Sequence, residues 1–366
     1  MSKPLDIAIT AWETISPLGA GAQAFAGAAA GAANLPEDFV AAQYPSELEY
    51  KFAPYEGKQF LGKGTRTMDR TTALAVGTAK LLFEACPFGE EQRDRSGFIL
   101  GTSTGSIRST SDFMRDSLVG ERPFLVNPAL FPNTVMNCAA GQCAIWFKAR
   151  GVNATIAAGR LSGFMSLQYA SMMLRRGYAD MLYTGAVEEL CPQTAWAHQI
   201  LGAAGERLAL PQGEGCAMFA LERASDVAER GGRAATTLYA LHCQRYFDAT
   251  KEITQAAVDG VVAAIREVLA RFKFGADDIG FISIGATSDK AAYDIERAAV
   301  EAYFGRSRLS VIDVVDRVGE TYSAAFSFKL AGLLGHAGYQ GEGNSPFGIV
   351  LSATHDGYVG VALVCR

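Results

Sequence analysis

The sequence predicts an α/β fold of two related halves, each a mostly parallel sheet covered by helices on both faces. Three observations lead there. The chain has 366 residues, 49% of them hydrophobic, and beyond about 250 to 300 residues a single core usually gives way to two. Short β-branched apolar runs alternate with longer stretches of helical period from end to end. A strand-to-helix elbow occurs twice, at 159–163 and 318–321, in matching places of the two halves, as expected of an internal duplication. The halves divide into residues 1–233 and 234–366.

Residues 7–12 read as the first strand, SPLGAG as a turn, and an alanine-rich helix follows from about residue 22. Residues 35–62 mix charge and aromatics without a period, which predicts a surface excursion. TRTMDRTTALAVGTAKLLFEAC places apolar residues at helical spacing behind a Thr or Asp cap. A buried strand at 97–100 runs into GTSTGS, a plain tight turn rather than a phosphate cradle. A helix at 107–118 and the loop VGERPFLVNPALFP lead to the central stretch 132–189, which reads as helix, short strand, turn, second helix and strand. GEGCAMFALERASDVAERGGRA then gives a core strand and an amphipathic helix.

The second half repeats the alternation. Strands are expected at 236–241, 279–284, 309–315, 349–352 and 360–364, with helices at 253–272, 292–303 and 320–334.

Composition excludes several classes. Charged residues make up 19% and the net charge is −5, so no basic surface for nucleic acid is expected. Seven cysteines without a C-x-x-C pair suit buried thiols in a reducing compartment, not a metal site or a disulfide frame. With no basic-then-apolar leader and no apolar run of about 18 residues, a cytoplasmic protein is expected.

The chemistry concentrates at TIAAGRLSG. Thr155 and Ile156 end a strand, the small residues Ala157, Ala158 and Gly159 allow a sharp turn, and Arg160 stands at the corner before a helix. A side chain at such an elbow points into a cleft with a helix N-terminus behind it, the place for a nucleophile. Here the occupant is an arginine.

Around that corner the sequence resembles the β-ketoacyl synthases of the thiolase superfamily. Their pattern of strand, Thr-Ala-Cys-x-Ser/Thr-Gly, helix, Gly-x-Ala-Asp, strand and Gly-Gly-x-Glu is met by Ala158 to Gly163, Gly177 to Asp180, and Gly185 to Glu188. The Met-Asp-Arg helix and the Gly-Glu-Gly strand fit as well. The resemblance implies the thiolase fold, five layers αβαβα with two central sheets and a shared buried helix layer. It also implies which positions held the condensing groups, one Cys and two His with a Lys nearby. Arg160 stands at the Cys, Gly285 and Glu320 at the two His, and Val315 at the Lys. The catalytic set is absent, and no cofactor or metal is implied.

A branch of the family shares this loss, the chain-length factors (KS-β subunits) of type II polyketide synthases, which often carry Gln at the Cys position. Resemblance to them implies a non-catalytic subunit paired as a heterodimer with an active ketosynthase. It would receive chains from an acyl carrier protein for a polyene or aromatic product. It implies an acyl tunnel drawn from Ile107, Thr110, Phe113, Met114, Leu130, Phe131 and Thr134, and a partner interface on the helix at 133–147 and the strand at 153–156. The alternatives are a malonyl-thioester decarboxylase or ketosynthase with rearranged groups acting alone, and a homodimeric scaffold.

Among the histidines, His336 in LLGHAGY reads as a helix C-terminal residue, His355 in ATHDG as a possible wall of the elbow cleft, and His198 and His242 as structural. Cys138 and Cys143 read as buried thiols. An arginine at a helix N-terminus calls for a carboxylate, and Glu320 or Asp316 is the expected partner, the alternative being solvent or backbone carbonyls. Arg160→Cys alone should restore no condensation, because both imidazoles would still be missing; a thioester condensation assay on that variant checks this, and appreciable product would refute it.

Overall fold

A computed structural model describes residues 3–27, 35–36, 39–203, 210–250, 252–285, 290–305, 309–341 and 345–366. The chain runs through β1 (Ile7–Ser16), α1 (Arg70–Ala85), β2 (Ser96–Gly101), α2 (Ile107–Val119), α3 (Cys138–Phe147), β3 (Asn153–Ile156), α4 (Ser162–Arg175), β4 (Met181–Glu188), α5 (Pro192–Ala203) and β5 (Gly215–Arg223). It continues through β6 (Thr236–Arg245), α6 (Gln255–Ala270), β7 (Ile279–Ile284), α7 (Lys290–Phe304), β8 (Ser310–Asp313), α8 (Ala325–Gly335), β9 (Phe347–Ala353) and β10 (Tyr358–Cys365).

The strands form one hydrogen-bonded series, β8-β7-β9-β10-β6-β1-β5-β4-β2-β3. Within β1 to β5 and again within β6 to β10 the spatial order is third, second, fourth, fifth, first, so one topology occurs twice. The two runs join where β1 pairs with β6, Ile7 opposite Leu238 and Ile9 opposite Thr236. The expected mostly parallel sheets are corrected to mixed ones. Within this series pairing is parallel only around β2 and β7. The strands between them are antiparallel. The reason is connectivity: β3 reaches β4 and β7 reaches β8 through crossover helices, whereas β9 returns as β10 after a tight turn, which only antiparallel strands can do.

Period-2 alternation sorts the strand residues into layers. Along β5, Cys216, Met218 and Ala220 pack under α1 and α3, while Ala217, Phe219 and Leu221 face the opposite side. There α4 and α8 lie between the two runs of strands, and Ala362 and Val364 of β10 reach the same core from beyond them. On the far side α6 and α7 cover β7, β9 and β10. The result is five layers, helix, sheet, helix, sheet, helix. At the centre Phe164 of α4 meets Phe326 of α8 edge-to-face, centroids 5.0 Å apart.

Three local expectations change. Residues 39–62 are not a plain surface excursion: Phe39, Tyr44, Tyr50 and Phe52 pack as a ring cluster with centroids 4.8–6.4 Å apart, and Tyr44 and Phe52 are buried. The helix expected from residue 133 begins at Cys138, after a 3-10 segment Pro128–Thr134 interrupted by Pro132 and capped by Asn127 (Ala129 N–H to Oδ1, 3.0 Å). The helix expected from residue 320 starts as a 3-10 turn, Tyr322–Ala324, before α8.

The reading also missed Lys329. It lies fully buried in the middle of α8, 3.5 Å from Glu296 of α7, and donates to the Leu351 carbonyl at 2.6 Å. Glu296 in turn accepts from the Ala353 and Gly285 N–H groups at 2.7 and 3.0 Å. Among the described residues no helix is long and apolar enough to cross a membrane.

Phe164→Ala should cost about 3–5 kcal/mol of stability, measured by urea unfolding. A loss below about 1 kcal/mol would mean that the Phe164–Phe326 contact does not hold α4 against α8.

Candidate active-site cleft

The elbow is set by backbone first. Gly159 adopts φ +55, a left-handed conformation that lets the chain leave β3 and enter α4 within a few residues. Ser162 locks the turn: its Oγ accepts from Ala158 N–H at 3.0 Å and donates to the Gly159 carbonyl at 2.6 Å. Arg160 is thereby held at the corner, its side chain 12% exposed.

The second elbow delivers the carboxylate. Glu320 N–H donates to the Pro211 carbonyl (2.6 Å) and its own carbonyl accepts from Gly213 N–H (2.8 Å), which pins residue 320 to the strand entering β5. Arg160 Nη1 lies 3.0 Å from Glu320 Oε1, and the Glu320 side chain is fully buried. The guanidinium therefore pairs with Glu320 and not with Asp316, whose carbonyl takes Lys51 Nζ. Burial pushes the Glu320 carboxyl up, and the Arg160 charge and the Tyr322 N–H bond (2.7 Å) pull it back. Its Oε2 has no hydrogen-bond partner among the described residues.

Tyr322 completes the corner. Its backbone is left-handed, φ +48, a conformation costing a bulky residue about 1–3 kcal/mol, and its ring lies under the Arg160 guanidinium at 4.3 Å. Cation–π contact and the Glu320 bond hold that backbone in place. His198, read from the sequence as lacking context, stands edge-on to Tyr322 at 5.7 Å. Burial and then the nearby Arg160 charge push its pKa down to about 4, so the ring is neutral near pH 7.

A cleft of about 390 Å³ opens beside this corner, lined by Arg160, Met165, Cys243, Tyr322, His355 and Tyr358 among others. His355 thus faces Arg160 across one cavity. His336 does not: it ends α8, its N–H bonded to the Leu333 carbonyl, against the Phe281 ring. His242 belongs to an outer cluster with Tyr246 and Arg271. Cys243 brings a thiol to the cleft, but burial and Asp356 push it up to about 11. Burial raises the other six thiols too, so no thiolate is available near neutral pH. Among the described residues no cluster could hold a metal ion.

A family model, "Beta-ketoacyl synthase, N-terminal domain", matches residues 6–227. The chain belongs to the β-ketoacyl synthase family. Its sequence relatives include 3-oxoacyl-[acyl-carrier-protein] synthase 2 of Rhizobium meliloti, 26% identical over 65% of this chain and 61% of that protein. The protein of the same name from Staphylococcus aureus is 29% identical over 34% and 32%. The matches thus span less than two thirds of these relatives' lengths. Among solved structures, "The ishigamide ketosynthase/chain length factor" superposes with a TM-score of 0.84 at 28% identity, covering 98% of this chain and 99% of that one. A β-ketoacyl synthase from Burkholderia phymatum shares the fold at 17% identity and TM-score 0.77, with each chain covered in full.

The ketosynthase-like motifs meet in space through buried carboxylates. Glu188, ending the Gly-Ala-Val-Glu run, accepts from Ser103 N–H (2.6 Å), Ser103 Oγ (3.1 Å), Thr104 Oγ1 (2.8 Å) and Ser323 Oγ. It ties the turn after β2 to the 3-10 segment beside Tyr322. Glu214 of Gly-Glu-Gly pairs with Arg70 of Met-Asp-Arg, and Asp69 caps α1 through Thr72 N–H at 2.8 Å. Gly285 has φ +96, and a Cβ there would lie 2.4 Å from Asp313 Oδ1. A histidine there would have to hold a backbone conformation that L residues rarely adopt and displace the Asp313 carboxylate. Val315 is buried in the central core.

The seven tunnel candidates line neither the elbow cleft nor the cavity over Asp69. Ile107, Thr110 and Phe113 are half-buried along α2 and Thr134 is half-buried beyond it. Met114, Leu130 and Phe131 are exposed. Phe113 and Phe131 rings lie 5.9 Å apart. These residues form an apolar face open on this chain, continued by Val135, Met136 and Ile145. β3 ends the strand series, with no further partner strand among the described residues.

Arg160→Ala leaves a buried carboxylate without its cation. Because burial holds Glu320 above the ordinary carboxylate value of 4.5, its folded form binds the proton more tightly than the unfolded one, and stability falls as pH rises through that range. The variant should lose about 3–5 kcal/mol at pH 8 and far less at pH 4, and Arg160→Ala with Glu320→Gln should abolish the pH dependence. Urea unfolding at the two pH values checks this; an equal loss at both would exclude the pairing as the cause.

Proposed function

We propose that this chain is a non-catalytic, chain-length-setting subunit that pairs with an active ketosynthase during type II polyketide elongation. The observation that carries the reading is the Arg160–Glu320 pair at the corner where the family places its nucleophile. A condensing site needs a thiolate to take the acyl group and imidazoles to promote decarboxylation and polarise the thioester. In place of those groups stand an ion-paired guanidinium, Glu320, and at Gly285 a left-handed glycine set against the Asp313 carboxylate. No thiol of the chain is activated to take over. The likeness to the ishigamide ketosynthase/chain length factor over 98% of the chain supports the same reading.

The second support is the apolar face. Met114, Leu118, Val119, Phe131 and Ile145 are 57–80% exposed, on adjoining elements and beside an unpaired strand edge. Contiguous apolar surface next to an open edge is covered by a partner in a stable protein. We assign that partner as the ketosynthase, with the α3 and β3 surface as the contact and Ile107, Thr110, Phe113, Met114, Leu130, Phe131 and Thr134 as one wall of the shared acyl tunnel. An acyl carrier protein then delivers chains to the partner's nucleophile. Side-chain bulk on this wall sets where elongation stops.

The test is reconstitution with a ketosynthase that retains Cys and both His. The pair should condense malonyl units and the isolated chain should not. Thioester turnover by the isolated chain would instead favour an independent decarboxylase or atypical synthase, and a stable homodimer that ignores the ketosynthase would favour a scaffold. In the reconstituted pair, Phe113→Ala should shift products toward longer chains by mass spectrometry; an unchanged distribution removes Phe113 from the tunnel.

A further inference from the structure

We infer that the elbow cleft is a binding site for a small carboxylate with a short apolar tail, held by the free edge of the Arg160 guanidinium. This goes beyond the chain-length role, since it requires no ketosynthase and concerns this chain alone.

The donor set comes first. A guanidinium carries five N–H donors in a planar fork. Arg160 spends one nitrogen, Nη1, on Glu320 Oε1. Its Nε and Nη2 make no hydrogen bond to any described residue, yet neither is a buried orphan. They face space, and the space Arg160 lines is the cleft. Stacking on Tyr322 at 4.3 Å and the Glu320 bond at 3.0 Å fix the plane of the guanidinium. The free edge is therefore oriented before any ligand arrives, which lowers the entropic cost of binding.

The walls decide what fits. At about 390 Å³ the cleft lies within the roughly 300–1,000 Å³ of small-molecule sites. Met165, Leu161, Tyr322 and Tyr358 give it apolar sides, and His355 and Asp356 stand among its polar lining. Arg160 and Glu320 together are neutral, so a carboxylate brings one net negative charge into a cleft whose lining also includes His355 and Asp356. The tail would run along the Met165 and Tyr358 walls. Two parallel N–H···O bonds from a fixed guanidinium edge favour a carboxylate over a neutral acceptor of the same length.

Isothermal titration of the full chain with hexanoate and with hexanamide tests this. Hexanoate should bind, hexanamide at least tenfold more weakly. Arg160→Lys keeps a cation and loses the fork, and Arg160→Gln with Glu320→Gln removes the guanidinium without stranding a buried carboxylate; both should lose at least tenfold in hexanoate affinity while retaining a cooperative melt. Equal binding of the two probes, hexanoate binding unchanged in both variants, or no hexanoate binding at millimolar concentration overturns the inference. None of these outcomes bears on product length in the reconstituted pair, so the two proposals fail separately.

Discussion

A guanidinium most of whose surface is withdrawn from water cannot stand at a helix N-terminus without a carboxylate. That constraint couples the two elbows. Arg160 arrives from β3 and Glu320 from the chain entering α8, 160 residues apart, and they meet only because α4 and α8 share the middle layer. Removing either charge alone would strand the other, so substitution at one elbow constrains the other. A pair of this kind contributes little net stability compared with apolar residues of the same shape. Its consequence is chemical: the corner that could activate a nucleophile is occupied by an ion-paired guanidinium.

The same device, a buried carboxylate at a junction, recurs through the molecule. Glu188 gathers the turn after β2 and the segment before α8, Glu214 joins α1 to the strand entering β5, and Glu296 with Lys329 fastens α7 and α8 to the end of β9. Burial raises the Glu188 and Glu296 carboxyls and lowers the Lys329 ammonium, so each depends on its hydrogen bonds to remain in place. Elements far apart in sequence are positioned around the cleft by these polar contacts and by the apolar core together.

Much of this architecture was legible in the residues. The strand and helix periods located nearly every element, and 279–284 matched to the residue, because apolar alternation is a local signal. The pairing of Arg160 with a carboxylate followed from the cost of a lone buried charge. What escaped was non-local. His198 reaches Tyr322 only through the path of α5. Lys329 sits in a helix whose other residues are apolar or small, and nothing in the spacing announces that Glu296 lies opposite. Residues 39–62 hold six aromatic side chains, four of them in the ring cluster, which was the available sign that the segment packs, but their lack of period concealed it. Parallel and antiparallel pairing likewise depends on which loops are tight, and only the fold showed the 3-2-4-5-1 order repeated.

The open face and the occupied corner are best understood as two halves of one division of labour. An enzyme that kept its own thiolate would need a tunnel leading to it inside the same subunit, and the apolar residues of α2 would then be enclosed. Here Met114, Leu118 and Val119 are exposed and Ile107 and Phe113 half-buried, while the cleft at the elbow lies elsewhere and ends on a charge. An acyl chain growing past Phe113 and Phe131 would need its thioester anchored on another surface, because this chain offers no thiolate. Under the proposed pairing, a second subunit would close over the apolar wall and bring the nucleophile. On the proposal that this corner takes no part in catalysis, its free guanidinium edge is available for a ligand of a different kind.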